Sequence, residues 1–222
     1  MPSRLRPTNS YTAEAILVGD PGRALLLAQE LLDQPKMCNH ARGLWGYSGR
    51  TPAGHPLTIQ STGMGGPSAA LVLGDLAELG VRRAVRVGTC VAVEEATEPG
   101  DLLVVGAAVA AGGSATAHGV AAGEAVAPDE ALTRRLEAEL GDGGVATIAS
   151  FDAHPDGQVA PPGVSAADMQ TAPLLARAAA LGIEVGALLI VAESSAGRHI
   201  ESEELERAEK RAGLLASTVL SP

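Results

Sequence analysis

Short apolar runs alternate with apolar positions at helical spacing along most of this chain. Residues 15–18 form one such run and lead straight into Gly-Asp-Pro-Gly-Arg, after which residues 24–32 continue in a helical pattern, so the segment predicts strand, tight turn and helix. Residues 57–60 lead into Ser-Thr-Gly-Met-Gly-Gly-Pro-Ser. A helix then follows over 69–79, with Pro67 near its start and Gly80 just past its end. Two units of this kind predict an α/β sheet. Further strands are expected at 84–87, 102–108, 145–148 and 187–191, and further helices at 129–140, 167–181 and 202–219. Residues 110–128, rich in Ala and Gly, and 153–164, rich in Pro and Gly, read as surface loops near a site or as disorder. With neither an internal repeat nor a linker between two cores, a single domain over 1–222 is expected.

Composition narrows the function. No stretch approaches the roughly 20 apolar residues of a membrane span, and MPSRLRPTNS lacks the apolar segment of a signal peptide, so a cytosolic protein is expected. Cys38 and Cys90 are the only cysteines and form no CxxC pair, which supports neither a disulfide framework nor a zinc site. A net charge of -10 argues against nucleic acid as a partner. Any anionic ligand must be gripped by a local cluster of cations. Of the 16 basic residues only Lys36 and Lys210 are lysines, and arginine is the better fork for phosphate.

Two segments could carry such a grip. In Gly19-Asp20-Pro21-Gly22-Arg23 the backbone N–H groups of a tight turn could face an anion, with Arg23 opening the next helix; an ordinary strand-to-helix connection with a surface arginine is the alternative. In Arg86-Val87-Gly88-Thr89-Cys90 a buried strand ends in a cation, a glycine and a hydroxyl, which suits a phosphate oxygen. An internal salt bridge from Arg86 to a carboxylate accounts for that segment equally well.

Taken in order, GDPGR, RGLWGYSG, TGMGGPSAA and RVGTC resemble the purine nucleoside and uridine phosphorylase family, most specifically over residues 15–101. A weaker likeness continues from Gly182 through VGALLIVAE and the last helix. The resemblance implies a central mixed sheet closing into a distorted barrel flanked by helices. It also implies that Gly19, Arg23, Arg86 and Thr89 surround a phosphate and that Arg42 reaches a neighbouring subunit's phosphate. A homo-oligomer follows, a dimer or a hexamer built from dimers, with inorganic phosphate as co-substrate and no metal or other cofactor. The family's histidine near the N-terminus has no counterpart before His40.

The nucleoside contacts implied are Met64 of the glycine-rich turn, His154 and Gln158 of the loop after residue 150, and Asp168, Met169 and Gln170 in place of the family's Glu-Met-Glu. Gln170 lacks the charge that strengthens a sugar hydroxyl contact. Without the resemblance, Met169 reads as a core residue at a helix start and Gln158 as part of a surface turn. Glu193 stands where purine-cleaving members carry an Asp that protonates the base; a solvated loop carboxylate is the alternative. Val91 replaces a family glycine, and the loop after Gln158 is short.

The reading is phosphate-dependent cleavage of a purine or pyrimidine nucleoside to free base and pentose 1-phosphate. Arg86 and Glu193 are the catalytic pair, and Arg86→Ala is expected to abolish turnover while leaving the fold intact. The alternatives are a catalytically impaired relative that binds nucleoside or phosphate, and a hydrolase of the same fold.

Overall fold

A computed structural model describes residues 4–141 and 144–221. The chain opens with β1 (Glu14–Val18) and α1 (Pro21–Leu31), whose helix is started by Pro21 at its first position and by the Asp20 carboxylate accepting from the Arg23 N–H at 2.9 Å. A three-stranded edge follows: β2 (Asp33–Asn39), a single 3-10 turn at Ala41–Gly43, β3 (Gly46–Arg50) and β4 (Pro56–Ser61). Next come α2 (Gly65–Glu78), β5 (Arg83–Ala92) and β6 (Leu102–Ala110), then the one-turn α3 (Gly113–Thr116) and β7 (Ala125–Val126). The second half contributes α4 (Glu130–Leu140), β8 (Val145–Ser150), β9 (Ala166–Asp168), α5 (Thr171–Leu181), β10 (Glu184–Glu193) and α6 (Ser202–Leu220).

Among the described residues, ten strands join one mixed sheet. β1 lies between β4 and β5 and is parallel to both, while β3 and β2 extend the sheet antiparallel beyond β4. On the other side, β10 runs parallel to β5 along its whole length, and β6, β8 and β9 complete a ring in which β9 pairs back onto β5. Five strands, β5, β10, β6, β8 and β9, thus close into a barrel, leaving β1, β4, β3 and β2 as an open wing and β7 paired to β6. This agrees with the mixed sheet and distorted barrel expected from the sequence.

Two apolar clusters flank the sheet. Leu73, Leu76, Leu174 and Leu175 place α2 and α5 on one face, and Leu27, Leu132, Leu136, Ala212 and Val219 place α1, α4 and α6 on the other. The seam between α1 and α6 depends on Gly213, where an added Cβ would come within 2.5 Å of Leu27.

The structure corrects the expected elements in three places. Residues 166–168 are a strand rather than the start of a helix, and α5 begins only at Thr171, because residues 166–168 take ladder positions against β8 and residues 166 and 167 against β5. The segment 110–128 is not wholly loop but holds α3 and β7, the latter paired with β6. β2 and β3, which have no apolar run, gain their strand character from pairing across the open wing.

Candidate active site

The parallel strands β1, β5 and β10 all end on the same side, and their C-terminal ends, together with the segment after β9, enclose a cavity of about 690 Å³. Such strand ends are where ligands sit in α/β sheets. Two arginines stand in its wall, and both are buried.

Arg23 is fixed by its place in the first turn of α1. Its Nε donates to the Glu209 carboxylate on α6 at 2.7 Å and its Nη1 to the Val87 carbonyl at 3.4 Å. Its other three N–H groups have no hydrogen-bond partner among the described residues. Arg86 comes from the middle of β5. Its Nε donates to Thr171 Oγ1 at 3.0 Å, Nη1 to Gln170 Oε1 at 2.7 Å and Nη2 to Asp168 Oδ2 at 2.9 Å, leaving two N–H groups. The internal ion pair read from the sequence is present, and the same side chain lines the cavity.

Asp168 and Gln170 are correspondingly committed. The Asp168 carboxylate, itself buried, also accepts from Ser150 Oγ at 2.5 Å and Thr171 Oγ1 at 2.6 Å. The Gln170 amide donates to the carbonyls of Gly63 and Gly65. With both amide hydrogens spent inside the protein, Gln170 meets a sugar hydroxyl only by giving one of these up.

Gly19, Met64, Thr89, His154, Met169 and Glu193 also line the cavity, and Met64 is 90% exposed there. Thr89 and Val91 belong to β5. Val91 pairs with Ala167, takes ordinary strand backbone and lines the cavity. Two residues expected from the sequence are not brought to the cavity. Gln158 is exposed on a turn closed by its own N–H to the Pro155 carbonyl. Arg42 is exposed in the 3-10 turn after β2, in the left-handed region at φ 61°. A non-glycine residue held in this conformation is uncommon, and Gln34 at φ 45° is the other one among the described residues.

Two residues at the site escaped the sequence reading. Glu209 meets Arg23 across 186 positions of chain, which no local spacing betrays. His199 lines the cavity with Nδ1 3.7 Å from Glu193 Oε2. Its signal was the glycine-containing turn that follows Glu193 and folds the histidine back beside it. Deep in the wall, burial first and then the negative charge of Asp168 push the Cys90 thiol far above its ordinary range, against a smaller opposing effect of Arg86. Among the described residues no three His, Cys, Asp or Glu side chains cluster so as to hold a metal ion, and no helix is long and apolar enough to cross a membrane.

Residues 14–221 match the family described as the phosphorylase superfamily, and the chain belongs to it. A DeoD-type purine nucleoside phosphorylase of Caldanaerobacter subterraneus subsp. tengcongensis is 31% identical over 199 residues, covering 82% of this chain and 83% of that protein. Another from Oceanobacillus iheyensis is 38% identical over 90 residues, a match that takes in 40% of this chain and only 38% of the relative. A uridine phosphorylase of Haemophilus influenzae is 39% identical over 95 residues, covering 43% of this chain and 37% of the relative. In fold, the chain superposes with a TM-score of 0.84 on a structure from work on two uridine phosphorylases of the oomycete Phytophthora capsici, at 24% identity and with 98% of this chain and 92% of that one covered.

Proposed function

We propose that this protein is a nucleoside phosphorylase, which uses inorganic phosphate to displace the base of a purine or pyrimidine nucleoside and yields free base and pentose 1-phosphate. The observation that carries this reading is the convergence of Arg23, Arg86 and Thr89 on one cavity whose wall also bears Glu193. In this reading the free N–H groups of the two guanidiniums and the Thr89 hydroxyl hold the phosphate beneath the sugar. Holding the anion in line with C1′ and stabilising the oxocarbenium-like transition state supply most of the acceleration, each contributing several kcal/mol. Met64, His154 and Met169 supply the apolar and stacking surface for the nucleoside.

The phosphate cage is completed by a second copy of the chain, whose Arg42 reaches in from outside. This assigns a purpose to the left-handed arginine that its own cavity lacks. The active form is therefore a homo-oligomer, dimer or hexamer, working in the cytoplasm with phosphate as its only co-substrate.

Incubating the protein with inosine, adenosine, guanosine, uridine and thymidine, with and without phosphate, tests the reading. Release of free base together with sugar phosphate, only when phosphate is present, is the expected result. Release independent of phosphate would make the protein a hydrolase. Binding without turnover would make it an impaired relative, a reading favoured by the full internal commitment of the Gln170 amide.

A further inference from the structure

We infer that Gln170 is a positioning residue of the anion site and not a sugar ligand: its side chain ties Arg86 of β5 to the glycine turn ahead of α2, and phosphate affinity depends on that tie. The effect on phosphate rests on the phosphorylase reading; the tie itself rests on geometry. Gln170 stands at the start of α5, where its carbonyl accepts from the Leu174 N–H at 3.0 Å. Its buried side chain makes no bond to the N–H groups of its own helix and crosses instead to the other elements of the cavity wall.

The neighbours decide which end of the amide is which. Arg86 Nη1, which can only donate, lies 2.7 Å from Oε1, and Thr62 Oγ1 lies 3.4 Å from the same oxygen. The carbonyls of Gly63 and Gly65, which can only accept, face Nε2, the second at 3.3 Å. An amide oxygen has two lone pairs and an amide nitrogen two hydrogens, so this side chain is saturated inside the protein. A sugar hydroxyl finds no vacant place on it.

The ties join three parts of the wall. Gly63 and Gly65 hold positive φ, 74° and 77°, a backbone that side chains rarely adopt, and Met64 between them lines the cavity. The turn after β1 closes over the same amide, since a Cβ at Gly19 would stand 3.5 Å from the Gly63 carbonyl and 3.8 Å from Gln170 Oε1. On Arg86, Gln170 supplies the one neutral amide acceptor beside the Asp168 carboxylate and the Thr171 hydroxyl. That neutrality matters. Arg86 and Asp168 offset one another, and a carboxylate at position 170 would leave this stretch of wall net negative where an anion is to dock.

Gln170→Met, close in length and without the amide's hydrogen bonds, tests the inference with inorganic phosphate and with two nucleoside pairs, inosine with 2′-deoxyinosine and uridine with 2′-deoxyuridine. The KM for phosphate is expected to rise at least about 5-fold, less than a full hydrogen bond to a charged group is worth because Asp168 and Thr171 still hold the guanidinium. The ratio of kcat/KM on the ribonucleoside to that on its 2′-deoxy partner is expected to stay within about twofold of wild type, as no hydroxyl contact is lost. An unchanged phosphate KM, even with a lowered melting temperature, overturns the tie, and a ratio shifted further than that overturns the exclusion of the sugar. Should Gln170→Met fail to fold, Gln170→Glu carries the same readouts. It keeps an acceptor for Arg86 but has no donor for the glycine carbonyls and adds a negative charge, so the phosphate KM rises again, whereas a sugar ligand would show as a stronger preference for the ribonucleoside. Calorimetric titration with inorganic phosphate separates this inference from the reading beneath it. Phosphate binding that weakens in the variant of a protein that cleaves no nucleoside removes the phosphorylase reading and keeps the tie; no phosphate binding by wild type removes both.

Discussion

The guanidinium of Arg86 occupies the space above Gly88: a Cβ at position 88 would stand 2.5 Å from Nη2, 2.6 Å from Cζ and 2.9 Å from Nη1. The glycine in Arg-Val-Gly-Thr therefore serves the arginine two residues before it. Gly88→Ala is expected to push Arg86 off Asp168 and Gln170, costing about 1–3 kcal/mol as an overpacked core does. Urea unfolding would register that loss, and the KM for phosphate would rise together with it. A variant as stable and as active as wild type would show that Arg86 has room to move.

Arg86→Ala no longer carries the simple expectation drawn from sequence, that turnover is lost and the fold stays intact. Removing the cation strands the buried Asp168 carboxylate, and breaking a buried pair from one side typically costs about 3–5 kcal/mol. Arg86→Met combined with Asp168→Asn removes both charges and is expected to regain most of the lost stability while phosphorolysis stays abolished. Thermal unfolding and product assay on the single and double variants separate the two roles. Should the folded double variant retain turnover, Arg86 is only a structural residue.

How much of this was legible depends on how far apart the partners lie in the chain. GDPGR and RVGTC are local signals: in the first, Asp20 caps the helix that it precedes, and the strand–turn–helix follows directly. The barrel ring was not written in any one segment. Ala166 and Ala167 favour helix by intrinsic propensity, and only ladder pairing with β5 and β8 makes them a strand. Lys36, Ser48 and their neighbours form strands at the open wing with no apolar run to announce them. The ties from Arg23 to Glu209 and from Arg86 to Asp168 span 186 and 82 positions of chain, so the sequence displayed the two cations without the carboxylates that hold them.

Both thiols should be inert in the folded protein. Burial raises the pKa of Cys38 despite opposing hydrogen bonds from Ser48 and Tyr11, and burial with Asp168 raises that of Cys90. A thiol-specific reagent at pH 8 is expected to label them only as fast as the protein unfolds, and both at once in denaturant. Because the folded state keeps these protons where the unfolded chain releases them, stability is full below the unfolded thiol value of 9.0 and falls as pH rises beyond it. Replacing Cys90 by Ala should flatten that alkaline decline. A steep decline in the variant would assign it to other groups.

In the proposed phosphate site, Glu209 is expected to set the strength with which Arg23 grips the anion. Its carboxylate lies 2.7 Å from Arg23 Nε and offsets charge that a phosphate would otherwise meet. Glu209→Gln keeps an oxygen that can accept from Nε but removes the competing negative charge, so the KM for phosphate is expected to fall several-fold with little change in kcat. Glu209→Ala removes the acceptor too, leaving the guanidinium free to turn from the cavity, and should raise that KM. Initial rates over a range of phosphate concentrations for the two variants distinguish charge from orientation. Movement of the KM in the same direction in both would mean that only the positioning of Arg23 matters, and no movement in either would place Glu209 outside the phosphate site.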